Sequence, residues 1–359
     1  MSLTDWLLFA LLSIPVAATL LPLLPANHWT IRVFDFPRLQ IAVASLVCVL
    51  LGLILPHGNS PLLAFMEVLN LGCMAYQIWE ISAYTRLVRP QVAVWRGPAD
   101  ARSISLLVSN VLTPNRQAGK LLALVEQYQP DIVLTLESDA WWEKQLAPLE
   151  KGWPYTVKEP LDNLYGMHLY SRLELRNVEV RHWVQEDIPS IVAEVRLRSG
   201  DWITIYCLHP MPPTPTESAT STNRDAELLL VGQEIARGNS PVLVFGDLND
   251  VAWSSTSRLF QKTSGLMDPR VGRGLYSTFH AQWPLMRWPL DHIFHSADFM
   301  MRDIRVLPDH FPVYGSFRYH PPVEDLLHDA PEADADDHQQ AQEKIDEADP
   351  EKKVVAEKY

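Results

Sequence analysis

Cysteine is scarce in this chain, with three in 359 residues. Cys48 and Cys73 fall within apolar stretches near the N-terminus and Cys207 stands alone, so no disulfide is available within the more polar remainder to mark an oxidising compartment. There is no Cys/His cluster of the kind that zinc favours. A Lys/Arg-rich run laced with aromatics, which would neutralise successive phosphates of a nucleic acid, is also missing. So is any convincing internal repeat. Charge is absent from two long stretches, residues 6–24 and 39–55, each close to the roughly 20 residues that cross a hydrocarbon core. A cleaved signal peptide would carry a basic leader, and none precedes the first stretch.

What is present divides the chain into parts suited to different solvents. Asp and Glu stand against Lys and Arg as 4 to 5 over residues 1–99, 26 to 21 over 100–320, and 13 to 4 over 321–359. Most of the net charge of -13 therefore lies in the last stretch. Residues 1–90 read as a membrane region with about three transmembrane helices, two being the fallback. The third, from Pro61 to about Tyr84, is interrupted by Glu67, Asn70, Gln77 and Glu80. Their spacing of three and seven puts several on one helical face, which suits a face turned toward other helices. Arg32 and Arg38 follow the first span, and Arg86, Arg89 and Arg96 follow the third. With three spans these share a side, so the positive-inside rule places them, and the rest of the chain, in the cytoplasm, the periplasm being the alternative. The expectation is a multi-pass protein of the bacterial inner-membrane type, with a linker at 91–102.

Residues 103–320 are long enough for one substantial core. Strands are expected at Ser103–Val108, Asp131–Leu136, Trp202–Leu208, Val242–Phe245, Leu290–Phe294 and Phe317–Tyr319, and helices over Asn115–Gln129 and about Arg224–Arg237. Val242–Phe245 is an unbroken apolar run, the pattern of a strand buried on both faces, and Gly246 stops it. Past the stop come Asp247, Asn249 and Asp250. Alternation along an extended chain would point Asp247 and Asn249 the same way. Other polar residues also fall at strand ends: Asn110, Glu137, His209, and Asp291 with His292, while Asp309 and His310 lie in a loop before another strand. Convergence on one rim of a rigid sheet is the economical reading.

The ordered motifs are Ser-Asn-Val-Leu at 109–112, Asp-Ile-Val-Leu-Thr-Leu-Glu at 131–137, Leu-His-Pro at 208–210, Gly-Asp-Leu-Asn at 246–249, Leu-Asp-His-Ile-Phe at 290–294 and Pro-Asp-His-Phe-Pro at 308–312. Together they resemble the endonuclease/exonuclease/phosphatase superfamily over roughly Ser103–Tyr319, and the preceding apolar stretches make the chain look like its bacterial membrane-anchored members. The resemblance implies an α/β fold: a two-sheet β-sandwich flanked by helices, here preceded by an all-helical transmembrane segment. It also implies metal-dependent cleavage of phosphoester bonds at one rim. One departure is that Leu136 stands before Glu137 where the family often has Gln.

By this resemblance Glu137, Asp309 and Asn110 would surround a Mg2+ or Mn2+ ion, a hard cation that takes oxygen ligands. Asp247 would align or deprotonate the attacking water, Asn249 would hold the phosphate, and His209 would donate to a phosphoryl oxygen. His310, paired with a carboxylate such as Asp291, would be the general base or stabilise the pentavalent state. The expected substrate is a phosphorylated lipid or lipid-linked diphosphate, with membrane lipids as partners and no protein partner inferred. Nucleic acid is less favoured, although Arg172, Arg176, Arg270, Arg273 and Arg287 could gather into a basic patch. A catalytically silent module that binds a phosphorylated ligand is a further alternative. Trp141, Trp142, Trp283 and Trp288 could form an apolar margin near a bilayer. Residues 321–359, rich in Ala, Asp, Glu and Gln, are expected to be a disordered acidic tail.

Overall fold

The computed structural model describes residues 2–55, 60–279, 283, 285–307, 312–321 and 330–348. The chain separates into two compact units: residues 1–88 with 213–221, and residues 89–212 with 222–359.

The first unit is helical: α1 (Leu3–Leu20), the single-turn α2 (Trp29–Arg32), α3 (Arg38–Ile54) and α4 (Pro61–Ser82). A Ser2/Asp5 capping box opens α1. Leu8, Leu12, Val16, Cys48, Leu63, Met66 and Cys73 form its apolar interior. Residues 3–23 and α4 are each long and apolar enough to cross a membrane. Residues 29–35 and α3 would make a third span only as a pair bent by 78°. The polar residues of α4 do face inward: Asn70 Nδ2 donates to the carbonyls of Leu12 and Met66, both at 2.9 Å. Gln77 Nε2 donates to Thr19 Oγ1 at 3.0 Å and its Oε1 accepts from Arg38 at 3.1 Å. Residues 213–221 belong to this unit through Trp29 N–H to Ala219 O (2.9 Å) and Ser221 N–H to Asn27 O (2.8 Å).

The second unit is a sandwich of two mixed sheets. Its strands are β1 (Ser103–Asn110), β2 (Ile132–Leu136), β3 (Tyr155–Glu159), β4 (Met167–Ser171), β5 (Leu175–Arg181), β6 (Ser190–Arg196), β7 (Trp202–Leu208), β8 (Val242–Asp247), β9 (Asp291–His295), β10 (Phe299–Val306) and β11 (Val313–Tyr319). One sheet has the order β10-β11-β1-β2-β4-β3 and the other β5-β6-β7-β8-β9. β1 runs parallel to β2, and β7 parallel to β8; every other ladder is antiparallel. The inner faces meet through Leu106, Val108, Leu134, Leu136, Ile205, Cys207, Leu243, Phe245 and Ile293. The helices are α5 (Ala118–Tyr128), α6 (Ala140–Leu146), α7 (Thr222–Arg237), α8 (Ser255–Ser264) and α9 (Ala335–Glu347). α5 and α6 pack on Leu107, Val133 and Tyr170 of the first sheet, and α7 and α8 on Tyr206, Val244 and Phe294 of the second. Apolar residues on both faces explain why β2 and β8 read as continuous runs.

Two expectations change here. The tail contains a helix, α9, held against α7 and α8 by Ala341 and Ile345 on Leu229 and Leu259, and by Lys262 on Asp337 at 2.9 Å. Composition hid it because its docking face is two apolar residues and paired charge, while the rest is acidic and solvated. Trp142 is buried under α6 with Leu146 and Tyr170, so it belongs to the core and not to a bilayer margin.

Candidate active site

The C-terminal ends of the two parallel strand pairs meet at one rim. β1 and β2 deliver Asn110 and Glu137; β7 and β8 deliver His209 and Asp247. The Asn110 amide nitrogen bridges the sheets, donating to Glu137 Oε1 at 2.6 Å and to Asp247 Oδ2 at 3.1 Å. Asn110 Oδ1 is occupied by the Leu112 N–H at 3.1 Å, which fixes the amide nitrogen toward the carboxylates. Asn110 therefore faces the acids as a donor, where the resemblance places it beside a cation. Glu137 sits in left-handed backbone, φ 56°, and its carbonyl accepts from Thr113 Oγ1 at 2.8 Å. A non-glycine residue rarely adopts that conformation unless its surroundings impose it.

Asp247 and Asn249 are joined, though not by strand alternation. β8 ends at Asp247, and Asn249 turns left-handed at φ 51°, so the two-residue period stops before it acts. Instead the Asn249 N–H donates to Asp247 Oδ1 at 2.9 Å, an Asx turn. Asn249 Nδ2 donates to Pro210 O at 2.9 Å, tying this turn to the segment that follows His209. Gly246, at φ 151°, is required by closeness as well as conformation, because a Cβ there would overlap the Leu208 carbonyl.

Asp291 opens β9 directly opposite Asp247. Burial, and then the neighbouring Asp247 carboxylate, hold its pKa well above the usual range. Its Oδ1 is buried without a hydrogen-bond partner. Burial pushes His209 down against the opposing pull of Asp247, so its imidazole is favoured in the neutral form, and its ring lies 5.3 Å from that of Tyr165. Thus Asn110, Glu137, His209, Asp247, Asn249 and Asp291 come together in one unit. Asp309 and His310 lie outside the described residues.

A supporting layer lies beneath these residues; the sequence marks Asp250 and His292 as strand-end groups and Arg270 for a basic patch, but not Arg224 or Asp268. Buried Arg224 donates to the Asn249 carbonyl at 2.8 Å and stands 3.4 Å from Asp250. Arg270 is held by Asp268 at 2.8 Å and reaches His292 Nδ1 at 2.6 Å, while His292 Nε2 meets the Asp250 carbonyl at 2.9 Å. Arg270 is thereby removed from the expected basic patch. Arg176 pairs with Glu194 at 2.5 Å and Arg273 donates to the Pro269 carbonyl at 2.9 Å, so these too are engaged locally. A charged residue in the first turn of a helix that otherwise packs on the sheet was the only hint of Arg224.

Among the described residues, no three His, Cys, Asp or Glu side chains group as a metal site. The donors at the rim are nevertheless carboxylate oxygens, with a crowded Asp247/Asp291 pair and the orphaned Asp291 Oδ1. This set fits a hard divalent cation, which prefers oxygen and would relieve that crowding.

The chain belongs to the endonuclease/exonuclease/phosphatase family, whose model matches residues 107–316, more than half of the chain. Members of that family are generally hydrolases acting on phosphoesters. No curated relative matches the sequence. Similar solved structures include TDP2 of D. rerio humanized by 14 mutations, with a TM-score of 0.50 and 17% identity over 60% of this chain and 99% of that one. The catalytic domain of human nocturnin with bound sulfate is similar at a TM-score of 0.49 and 19% identity, over 61% and 94% of the two chains. An endonuclease/exonuclease/phosphatase from Beutenbergia cavernae has a TM-score of 0.48 and 15% identity, over 61% and 72%.

Proposed function

We propose that this chain is a membrane-anchored, divalent-metal-dependent hydrolase of phosphoester bonds that acts on a phosphorylated lipid or lipid-linked substrate. The observation that carries the reading is the Asn110 amide joining Glu137 of one sheet to Asp247 of the other, with Asp291 and His209 alongside. Glu137 and Asp309, with Asn110 and Asp247 near, would hold Mg2+ or Mn2+. When bound, the ion would supply positive charge to phosphoryl and leaving oxygens. The chain's own groups do the rest. Asp247, with Oδ1 fixed by the Asn249 N–H, aligns the attacking water and takes its proton. Asn249, held by Pro210, keeps a second amide N–H for a phosphoryl oxygen. His209 donates to the phosphoryl group, and His310 stabilises the pentavalent state or serves as base.

The lipid assignment draws support from the first unit. Ile14, Leu53, Ile54, Phe65, Val68 and Trp79 are exposed large apolar side chains on its helices, as a hydrocarbon solvent would require. After His209 the chain enters residues 213–221, which belong to that unit. The negative balance of residues 100–320 and the local pairing of Arg176 and Arg270 disfavour a nucleic acid. The positive-inside reading puts the catalytic domain in the cytoplasm; an active periplasmic reporter fused after Arg96 would overturn that orientation.

The full chain in detergent, assayed with Mg2+ or Mn2+ against a lipid phosphate, a model phosphodiester and plasmid DNA, tests the proposal. Turnover of the lipid phosphate should exceed that of DNA, and Asp247→Ala should lower it about 10³-fold. Undiminished turnover in Asp247→Ala would sink the assignment, and preference for plasmid would replace lipid by nucleic acid.

A further inference from the structure

Behind the rim lies a chain of buried charge that ends on the C-terminal helix. Lys344 of α9 donates from Nζ to Asp225 Oδ2 at 2.7 Å. The other carboxylate oxygen of Asp225 accepts from Arg224 Nε at 3.0 Å and from a terminal guanidinium nitrogen at 2.8 Å. The remaining terminal nitrogen of Arg224 donates to the Asn249 carbonyl at 2.8 Å and stands 3.4 Å from Asp250. Arg224 is 3% exposed, Asp225 1% and Asp250 1%. We propose that α9 is a positioning element of the active site, and that Lys344, acting through Asp225 and Arg224, holds the Asp247–Asn249 turn in its left-handed shape.

Two cations and two carboxylates balance in this interior, where charges a few ångströms apart interact far more strongly than in water. Burial would push Asp225 up, yet Arg224 and Lys344 outweigh it and hold the carboxyl below its ordinary range. Without Lys344, Arg224 alone would neutralise both Asp225 and Asp250, and its guanidinium would be drawn away from the Asn249 carbonyl. Breaking a buried pair leaves an uncompensated charge, and the structure relaxes to relieve it. The helix that brings Lys344 has no fold of its own to fall back on. A 13-residue helix is marginal in isolation, so α9 is ordered by its seat on Leu229, Leu259 and Lys262. Order in α9 and order in the turn are thereby coupled over residues almost 100 positions apart in the chain.

The kinetic part of this inference rests on the hydrolase reading; the structural part does not. Hydrogen exchange of the full chain in detergent would follow the Asn249 backbone N–H, whose partner among the described residues is Asp247 Oδ1. Lys344→Met should raise its exchange rate about tenfold and lower the melting temperature, and Lys344→Arg should restore both. With Mn2+ and bis(p-nitrophenyl) phosphate, Lys344→Met should lower kcat about tenfold while KM changes less than about twofold. If Lys344→Met does not fold, Ala341→Glu displaces α9 without touching the ion chain and should raise exchange at the same amide. Unchanged Asn249 exchange in a folded Lys344→Met or Ala341→Glu protein overturns the inference, as does an equal effect of Met and Arg at 344. If the wild-type protein lacks turnover altogether, the hydrolase reading fails and exchange alone decides the role of α9.

Discussion

In the helical unit the side chains hidden from solvent include Asn70, Gln77 and Arg38, and each links one helix or turn to another. Between the two sheets of the second unit the described side chains are mainly apolar, Leu106, Leu134, Ile205 and Phe245 among them, with buried His295 packed on Phe317 as a polar exception, and most polar groups are sent to the rim and the outer layers. On the proposed membrane-anchored reading, the hydrocarbon solvent gives apolar residues no reason to prefer the interior, so helices find their partners through hydrogen bonds and close packing. In water the apolar interior itself is the driving force, and charge is free to be specialised for chemistry. The same contrast explains why Trp79, at 75% exposed, is ordinary in one unit, whereas Phe245 in the other is fully enclosed.

The comparison can be broken most forcefully in the sandwich. Phe245→Ala should cost about 3–5 kcal/mol, read by denaturant unfolding of the second unit, because the cavity sits between two rigid sheets. A cost below about 1 kcal/mol would show that this interior is not close-packed. A smaller effect is expected from the buried carboxyl of Glu227, which accepts from Ser190 at 2.9 Å. Burial raises its pKa from 4.5 to about 7, against the lowering effect of Ser190. The folded chain therefore keeps a proton that the unfolded chain has released, and stability falls as pH rises from about 4.5 to 7. At about 1.36 kcal/mol per pKa unit this comes to somewhat over 3 kcal/mol, so Glu227→Gln should flatten the decline in melting temperature across that window. An identical pH slope in wild type and variant would refute this. The smallest change is predicted in the helical unit. On the proposed membrane-anchored reading, Asn70→Leu should cost about 0.6 kcal/mol in a detergent unfolding titration, since a hydrogen bond between helices in a bilayer is worth little net. A loss near that of Phe245→Ala would erase the contrast drawn between the units.

The parallel strands were legible because burial on both faces leaves a continuous apolar run, as in Ile132–Leu136 and Val242–Phe245, and each run stops where the rim begins. Antiparallel β5 was not: it is mostly exposed on both faces, with a register shift between Arg176 and Glu179, so neither period survives in its sequence. β3, β4, β6 and β10 were missed along with it. The strand-end positions of the candidate site residues were legible, and their partners less so. Nothing local announces that Asn110 meets Asp247, or that Arg224 lies under Asn249, because these contacts depend on how two sheets close. α9 was hidden for a related reason, since Lys344 has meaning only beside Asp225.

The Asn110–Asp247 hydrogen bond spans 137 residues, and that separation bears on synthesis as well as on chemistry. Contacts between distant parts of a chain form late, after the loop between them has closed. When Asp247 is made neither sheet is whole, because β9 of the second sheet and β10 and β11 of the first follow it in the chain. On the proposed hydrolase reading, the capacity to cut phosphate esters therefore arises only when both sheets have closed, late in synthesis, and an interrupted translation product would lack it.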